Sequence, residues 1–301
     1  MILFRLPADC VDHMVFISQH LVKACVETGV ARERADFDWI GTGILYADQF
    51  LELLDRSGRF ILPYMFTNRH VMNALVEERH VKEIAIRLLN KETGKSEIHL
   101  NPLYDPDDGT ELWAIHPSLE VDVAAISLGT PEDGLQFEPA EEGEIMTLDF
   151  MRKEGCTEGD TIFVVGYPYS LTGLSKGSRA YPLVRSGCIA RIADTYARES
   201  ETYLIDVTIF PGNSGGPVIS KPSHFGEHIA GTSGTNKSGL IGMVSGYLEY
   251  FDEAVSTQTM RPRVVFTENS GIAKVETVDN MLKTLQLLKN RISDKFPKGQ
   301  P

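Results

Sequence analysis

Apolar residues recur at helical spacing in two segments, one near each end of the chain. The first covers residues 9–29, where Asp9 can cap the start and Gly29 can end the helix. The second covers residues 278–292. The apolar positions are Val11, Met14, Val15, Leu21, Val22 and Cys25 in the first, and Met281, Leu282, Leu285, Leu288 and Ile292 in the second. Both patterns predict amphipathic helices. We expect the first to pack across the back of the core, with a partner-binding arm as the alternative, and residues 31–36 to form a charged linker.

Short apolar and β-branched runs, bounded by turn residues, dominate the chain between these helices. Such runs are typical of strands, so an all-β core is predicted. They lie at residues 39–46, 84–89, 97–100, 160–168, 183–190, 203–207 and 240–247, with a hairpin at 51–60. An acidic stretch at residues 132–144, which contains glycine and proline, predicts a connector between two halves.

A glycine-rich turn at residues 210–218 holds Ser214 between two extended segments. Glycines accept backbone angles that aim two amide N–H groups at one point, and they leave the serine hydroxyl open to a large substrate. A serine acts as a nucleophile only with a general base that a third group orients. Ser214 is therefore a candidate nucleophile whose partners must come from other segments.

His70 and Asp122 are the candidate partners of Ser214. His70 ends an apolar, aromatic run at a polar corner, and Asp122 stands just before the apolar run at residues 123–128. A carboxylate beside a buried strand is costly unless it is hydrogen-bonded, and a histidine ring N–H is a suitable donor. The spacing leaves room for one small barrel with the base and acid and a second with the nucleophile.

Two other serine hydrolase folds fit the sequence less well. Residues 212–216 match the Gly-x-Ser-x-Gly pattern of α/β-hydrolases, but that fold places its histidine last and follows the serine with a helix. Here the last histidine is His228, with only Glu227 as an acid between it and Ser214, and residues 217–219 read as a strand. The subtilisin order is not excluded by order alone, because acids also precede His70. It requires helices that the flanks of Ser214 disfavour.

In this order and with these flanks, the three residues resemble the trypsin-like serine proteases, most closely the bacterial HtrA (Deg) branch. Gly41-Thr42-Gly43 and Gly166-Tyr167-Pro168 are similar to further motifs of that branch. The likeness covers roughly residues 39–247, and no PDZ-sized region remains after it. It implies two six-stranded, antiparallel, chymotrypsin-like β-barrels with N-terminal and C-terminal helices. The expected parts are the N-terminal helix and linker (1–36), first barrel (37–130), connector (131–154), second barrel (155–276) and C-terminal helix and tail (277–301).

The resemblance also implies a serine endopeptidase that works through an acyl-enzyme intermediate. Ser214 would be the nucleophile, His70 the general base and Asp122 the group that orients the imidazole. The backbone N–H groups of Gly212 and Ser214 would form the oxyanion hole. Asn213 stands where trypsin has an aspartate that pairs with a newly cut N-terminus, so activation by N-terminal clipping is not expected.

Substrate binding is expected at four further residues. Thr208 would lie at the base of the specificity pocket, and Ser245, Gly246 and Tyr247 would pair with the substrate backbone as an added strand. No acid stands at Thr208, so we expect a small or medium apolar side chain rather than arginine or lysine before the scissile bond. The main alternative function is a catalytically silent or latent binding module with the same fold.

Composition limits the classes of binding partner and the cellular compartment that we expect for the protein. The net charge of −13 and pI of about 5.1 disfavour nucleic acid, and a polypeptide is the expected partner, with a regulatory partner possible at the N-terminal helix. No apolar run is long enough to span a membrane, and no signal peptide is evident. The four cysteines do not flank His70 or Ser214 as in secreted relatives, which favours a reducing cytoplasm.

No metal or cofactor is expected. None of the four cysteines lies at Cys-x-x-Cys spacing. The acidic run at residues 105–111 lacks the glycine and glutamate positions of a calcium loop.

Overall fold

A computed structural model gives the fold of the chain. It describes residues 24–33, 36–48, 54–55, 58–59, 62–90, 92–129, 135–136, 138–168, 181–221, 238–259 and 261–293.

The first half of the described chain forms one curled, nine-stranded sheet. Its order is β10-β6-β1-β2-β5-β9-β8, with β7 beside β6 and β11 beside β2. Its strands are β1 (Cys25–Glu33), β2 (Asp36–Asp48), β5 (Leu62–Thr67), β6 (Glu83–Asn90), β7 (Ser96–Pro102), β8 (Trp113–Ile115), β9 (Ala124–Ser127), β10 (Leu135–Gln136) and β11 (Ala140–Glu141), while β3 (Leu54–Asp55) and β4 (Gly58–Arg59) form a separate hairpin. A bridge between Tyr104 and Glu111 brings the β7 and β8 ends together.

The second half forms a closed six-stranded antiparallel barrel in the order β12-β13-β14-β17-β16-β15. Its strands are β12 (Thr161–Gly166), β13 (Leu183–Arg191), β14 (Thr202–Asp206), β15 (Pro217–Ser220), β16 (Leu240–Val255) and β17 (Pro262–Thr277). The α-helices are α1 (Arg69–Asn73), α2 (Leu148–Lys153), α3 (Ala193–Tyr196) and α4 (Val278–Ile292), with a π-helical turn at Ala74–Glu78 and a 3-10 turn at Glu142–Glu144. Within the described residues, no helix has the length and apolar character needed to cross a bilayer.

Helix α4 begins where the last barrel strand ends and returns to the first sheet. Thr277 caps its start by accepting a hydrogen bond from Asn280 N at 3.2 Å. Met281, Leu285 and Leu288 are buried in the core of the first sheet, so the predicted C-terminal helix is confirmed together with its apolar face.

The prediction for residues 25–36 is wrong. Residues 25–29 form part of β1 instead of ending a helix, and residues 31–33 continue that strand where a linker was expected. β1 pairs with β2 and β6, so the first barrel begins earlier than residue 37. At Gly29 the strands approach so closely that a Cβ would overlap the Asp38 carbonyl oxygen. Residues 25–33 therefore form a strand that pairs on both of its edges, despite the helical spacing of the apolar residues that precede them. The rest of the predicted helix, residues 9–23, lies outside the described residues.

The two-barrel, chymotrypsin-like architecture is confirmed, with one numerical correction. The first unit is a curled sheet of nine strands rather than a closed barrel of six, because β1 and two short strands from the connector, β10 and β11, add to it. The run after Ser214 is strand β15 and not a helix, which excludes the α/β-hydrolase arrangement.

Candidate active site

His70 and Asp122 are in direct contact at one end of the curled sheet. β5 ends at Thr67 and α1 begins at Arg69, so His70 stands at the first turn of a short helix. Its ring Nδ1 lies 2.7 Å from Asp122 Oδ2, and its backbone N–H donates to Asp122 Oδ1 at 2.9 Å. The carboxylate thus binds both the ring and the backbone of one residue, which fixes the imidazole orientation.

The residues just before His70 hold the segment that carries Asp122. Buried Asn68 donates through its side-chain amide to the Asp122 carbonyl oxygen at 2.8 Å. The buried Arg69 guanidinium donates to the carbonyl oxygens of His116 and Ser118. These contacts hold the segment of Asp122 in place beside His70, and no pattern in the sequence indicates that Asn68 and Arg69 have this role.

The turn before β15 places Ser214 between two glycines with positive φ. Gly212 has φ +98° and Gly215 has φ +88°, where residues with a side chain are strained. A Cβ on Gly215 would also overlap the Thr42 carbonyl oxygen. Within the part of the chain that the structure describes, neither the Gly212 N–H nor the Ser214 N–H has a hydrogen-bond acceptor. Two backbone donors are therefore available on either side of Asn213, as the glycine pattern predicted.

Thr42 on β2, in the first half of the fold, contacts both the serine turn and Tyr167 in the second half. Its N–H donates to the Ser214 carbonyl oxygen at 2.8 Å, and its hydroxyl donates to the Gly212 carbonyl oxygen at 2.7 Å. The same hydroxyl accepts from Tyr167 N at 3.1 Å. The Gly41-Thr42-Gly43 motif was noticed in the sequence, but only the structure reveals that its threonine positions the serine turn.

Gly41 marks how close the serine turn lies to the helix that carries His70. The position that a Gly41 Cβ would occupy is 3.2 Å from Val71 Cγ2 and 3.4 Å from the Ser214 carbonyl oxygen. Val71 directly follows His70 in α1. The structure therefore brings the backbone of the serine turn close to the helix that carries His70, and His70 in turn contacts Asp122.

Three of the four predicted substrate-binding residues lie on β16, and Thr208 follows β14. Thr208 is exposed, and its hydroxyl lies 3.8 Å from the position that a Cβ on Gly271 would occupy. A Cβ on Gly246 would meet no atom within 4 Å. Ser245 is buried, and its hydroxyl donates to the Lys274 carbonyl oxygen at 3.4 Å, while Tyr247 packs partly against the second core. Gly271 is an addition that sequence reasoning missed.

A buried carboxylate, Glu276, lies next to Asp122. Its pKa is raised to about 7, chiefly by burial and also by the charge on Asp122, while the Asp122 N–H, Lys274 and the Asn280 amide partly oppose the rise. The side chain is fully buried, and neither carboxylate oxygen meets a donor in hydrogen-bonding geometry among the described residues. No sequence pattern indicated this residue, because its β17 segment reads as ordinary alternation.

A second buried carboxylate, Glu27, lies on β1. Burial raises its pKa to about 7, and the Arg87 guanidinium, 2.5 Å away, opposes the rise. Arg87 also stacks over the Trp39 ring, 3.9 Å from its centroid. Glu27 is paired with Thr42 across β1 and β2, so this cluster lies one strand away from the serine turn. Among the described residues, no group of His, Cys, Asp and Glu is arranged to hold a metal ion.

Comparison with known proteins agrees with this geometry. The family model for the trypsin-like peptidase domain matches residues 41–224. No curated protein matches the chain. Similar solved structures include the HtrA-type protease AlgW with a decapeptide, at 14% identity and a TM-score of 0.45, covering 92% of this chain and 67% of that one. They also include the Rv3671c protease in an inactive form, at 14% identity and a TM-score of 0.42, covering 94% of this chain and 98% of that one.

The family match spans more than half of the chain and contains His70, Asp122 and Ser214. The chain therefore belongs to the trypsin-like peptidase family.

Proposed function

We propose that this protein is a serine endopeptidase that uses Ser214, His70 and Asp122 as a catalytic triad. The observation that carries the proposal is the 2.7 Å contact between His70 Nδ1 and Asp122 Oδ2 in the region that also holds the Ser214 turn. A carboxylate in this position keeps the imidazole proton on Nδ1, which leaves Nε2 free to accept one from a serine.

The reaction proceeds in two halves. As Ser214 Oγ attacks the peptide carbonyl carbon, His70 Nε2 takes the hydroxyl proton and Asp122 stabilises the resulting imidazolium. His70 then gives that proton to the leaving amine as the C–N bond breaks, which leaves an acyl-enzyme. Water, deprotonated by the same imidazole, attacks the ester and releases the acid and free Ser214.

The oxyanion of each tetrahedral intermediate is stabilised by the N–H groups of Gly212 and Ser214. Both donors are without an acceptor in the described part of the chain, so binding an oxyanion breaks no existing hydrogen bond. The loss of one such donor typically lowers the rate by about 10²–10³-fold.

The surface beside exposed Thr208 is assigned to the side chain before the scissile bond. Gly271, next to Thr208, adds no side chain there, and Thr208 brings no charge. Phe210 is partly exposed at the edge and lies 5.0 Å from the Arg185 guanidinium carbon. A small or medium apolar side chain fits this environment best, while Ser245, Gly246 and Tyr247 pair with the substrate backbone.

A fluorophosphonate probe tests the proposed nucleophile, because it labels only an activated serine. Wild-type protein is expected to be labelled at Ser214, as located by peptide mass spectrometry, and Ser214→Ala and His70→Ala are expected to lose the label. Ser186→Ala, an exposed serine on β13, is the matched control and keeps it. No labelling of wild-type protein under any condition would contradict the proposal and favour the silent binding module.

A further inference from the structure

The two longest strands extend well beyond the barrel that they help to close. β16 pairs with β15 only at residues 240–243, and β17 pairs with β14 only at residues 272–276. Farther out, residues 249–255 of β16 and 262–269 of β17 pair with each other, and no other strand of the described residues pairs with them. We call residues 249–268 the arm. At about 3.3 Å per residue, it projects roughly 20 Å from the barrel.

The arm exposes large apolar side chains on both of its faces. Those between 46% and 60% exposed are Tyr250, Phe251, Val255, Val264, Val265 and Phe266. Tyr250 and Phe251 are neighbours on one strand and therefore point to opposite faces, so neither face is wholly polar. An isolated two-stranded ribbon is only marginally stable in water. Such a surface indicates a binding site for a partner.

The outer edge of β16, opposite β17, connects the arm to the serine turn. Along this edge the backbone of Val244 pairs with Gly215 and Gly216, each at 2.9 Å. Ser245, Gly246 and Tyr247, the residues proposed to pair with substrate, come next. Within the described residues, no strand pairs with this edge beyond Val244. The proposed substrate-binding edge and the arm therefore lie on the same strand, which is bulged at Ser245 and at Leu248.

The charge of β16 indicates whether a second copy of the chain or a different polypeptide binds along this edge. Glu249, Asp252 and Glu253 are exposed on the arm, and the whole chain carries a net charge of −13. A second copy paired along the same edge in two-fold fashion would bring these acids together, which disfavours it. A basic and apolar polypeptide has the complementary charge.

We propose that the arm extends the substrate-binding edge, so that the enzyme binds an unfolded polypeptide with apolar and basic residues upstream of the scissile bond. The proposal rests on the proposed function. An antiparallel substrate that pairs with Ser245, Gly246 and Tyr247 has its earlier residues along residues 249–255. Each face of this strand offers an aromatic residue and an acid, with Phe251 and Glu249 on one face and Tyr250 and Asp252 on the other, so apolar and basic side chains fit on both faces.

Peptide binding to the Ser214→Ala protein tests this proposal without requiring catalysis. A short labelled peptide with four residues before the scissile bond is compared with three longer ones by fluorescence anisotropy. Each longer peptide carries eight extra residues, which are alternating Val and Lys at the N-terminus, alternating Val and Glu at the N-terminus, or alternating Val and Lys at the C-terminus. Only the first is expected to bind more tightly than the short peptide, by about tenfold in Kd.

Two arm variants complete the experiment. One variant has residues 249–268 replaced by Asn-Gly, and the other carries Glu249→Lys with Glu253→Lys. In each, the ratio of the Kd of the short peptide to that of the peptide with the N-terminal Val and Lys extension is expected to fall from about ten to about one. The charge-reversed protein keeps the arm, so it guards against a folding defect in the shortened one. Glu199→Lys, an exposed acid on a loop of the second half, is the control and keeps the full ratio.

Equal binding of all four peptides would overturn the proposal, as would a ratio that survives removal of the arm. Sedimentation of the wild-type protein and of the protein without the arm tests whether the arm instead binds a second copy of the chain. A dimer that dissociates when the arm is removed, together with a ratio of one, would assign the arm to a second copy. Failure of the proposed function is a separate outcome, because it appears as absence of fluorophosphonate labelling whatever the peptides do.

Discussion

Individual residues at the site act through short, specific contacts that the sequence indicated only in part. The flanking patterns predict a site at Ser214, His70 and Asp122, and in the structure His70 contacts Asp122 while the serine turn lies close to the helix that carries His70. Asn68 could not be identified, because a buried asparagine that donates to a distant carbonyl oxygen leaves no periodic signal. The same applies to Glu276, whose significance lies entirely in what surrounds it.

Asp122→Asn tests the orienting carboxylate at the residue scale. The amide keeps the side-chain shape but cannot hold the required tautomer or stabilise the imidazolium, so kcat is expected to fall by about 10³–10⁴-fold. Steady-state kinetics on a fluorogenic peptide measures this loss, and circular dichroism checks the fold. A loss of less than tenfold in a folded variant would remove Asp122 from the triad.

Gly215→Ala tests whether the serine turn depends on its glycine. The new Cβ would overlap the Thr42 carbonyl oxygen and would force a side-chain residue to φ +88°. Thermal unfolding is expected to shift down by several degrees, which corresponds to about 1–3 kcal/mol. Gly143→Ala is the control, because a Cβ there would meet nothing within 4 Å. Equal melting temperatures for the two variants would contradict the close approach.

At the scale of elements, the presence of a strand was easier to predict than the residues at which it begins and ends. β12, β14 and β15 agree with the runs found in the sequence because each buries several apolar side chains, and β13 agrees although only its Ile189 is buried. β1 was missed because the apolar residues before it have helical spacing and one of its two pairing partners, β6, is distant in sequence. The arm was missed because an exposed ribbon mixes acids and apolar residues on both faces and has no alternation to detect.

Thr42→Val tests the link between β2 and the serine turn. Valine fills the same volume but leaves the Gly212 carbonyl oxygen and the Tyr167 N–H without their partner, and a buried unpaired group costs about 1–3 kcal/mol. We expect lower stability and, because Gly212 is displaced, a lower kcat with a smaller change in KM. Thr42→Ser keeps the hydroxyl and should restore most of both. If valine and serine behave alike, the hydroxyl is not the link.

At the scale of the whole molecule, the two halves depend on each other. α4 continues from the second barrel but is buried against the first sheet, and its Arg291 donates to the Trp113 carbonyl oxygen at 2.6 Å. The connector is tied to the same helix, because Leu148 N donates to Asp279 Oδ2 at 2.8 Å. The resemblance indicated two barrels, but their mutual anchoring comes from long-range contacts that no local pattern encodes.

Glu276 makes the stability of this assembly depend on pH. Burial raises its pKa from the ordinary 4.5 to about 7, so the native state retains a proton that the unfolded chain releases. The contribution is complete below pH 4.5 and is lost as the pH rises through about 7, and a shift of this size is worth on the order of 3 kcal/mol. The free energy of unfolding should therefore fall as the pH rises across this window.

Glu276→Gln removes the ionisable group while keeping its shape. The variant should lose less stability than wild-type protein between about pH 5 and pH 8, as measured by urea unfolding, and Glu199→Gln should follow the wild type. Glu27, whose pKa burial also raises to about 7, leaves a residual pH dependence of the same sign. Parallel curves for Glu276→Gln and wild type would contradict this account.

The central claim is that Ser214 and His70 act as one catalytic unit, and a double-mutant comparison tests it most directly. The kcat/KM of Ser214→Ala, His70→Ala and the double variant is measured on one fluorogenic peptide. If the two residues work as a unit, the double variant is no slower than the slower single variant, because either change already removes the activated nucleophile. Losses that multiply in the double variant would mean that the two residues act independently, and would contradict the proposed mechanism.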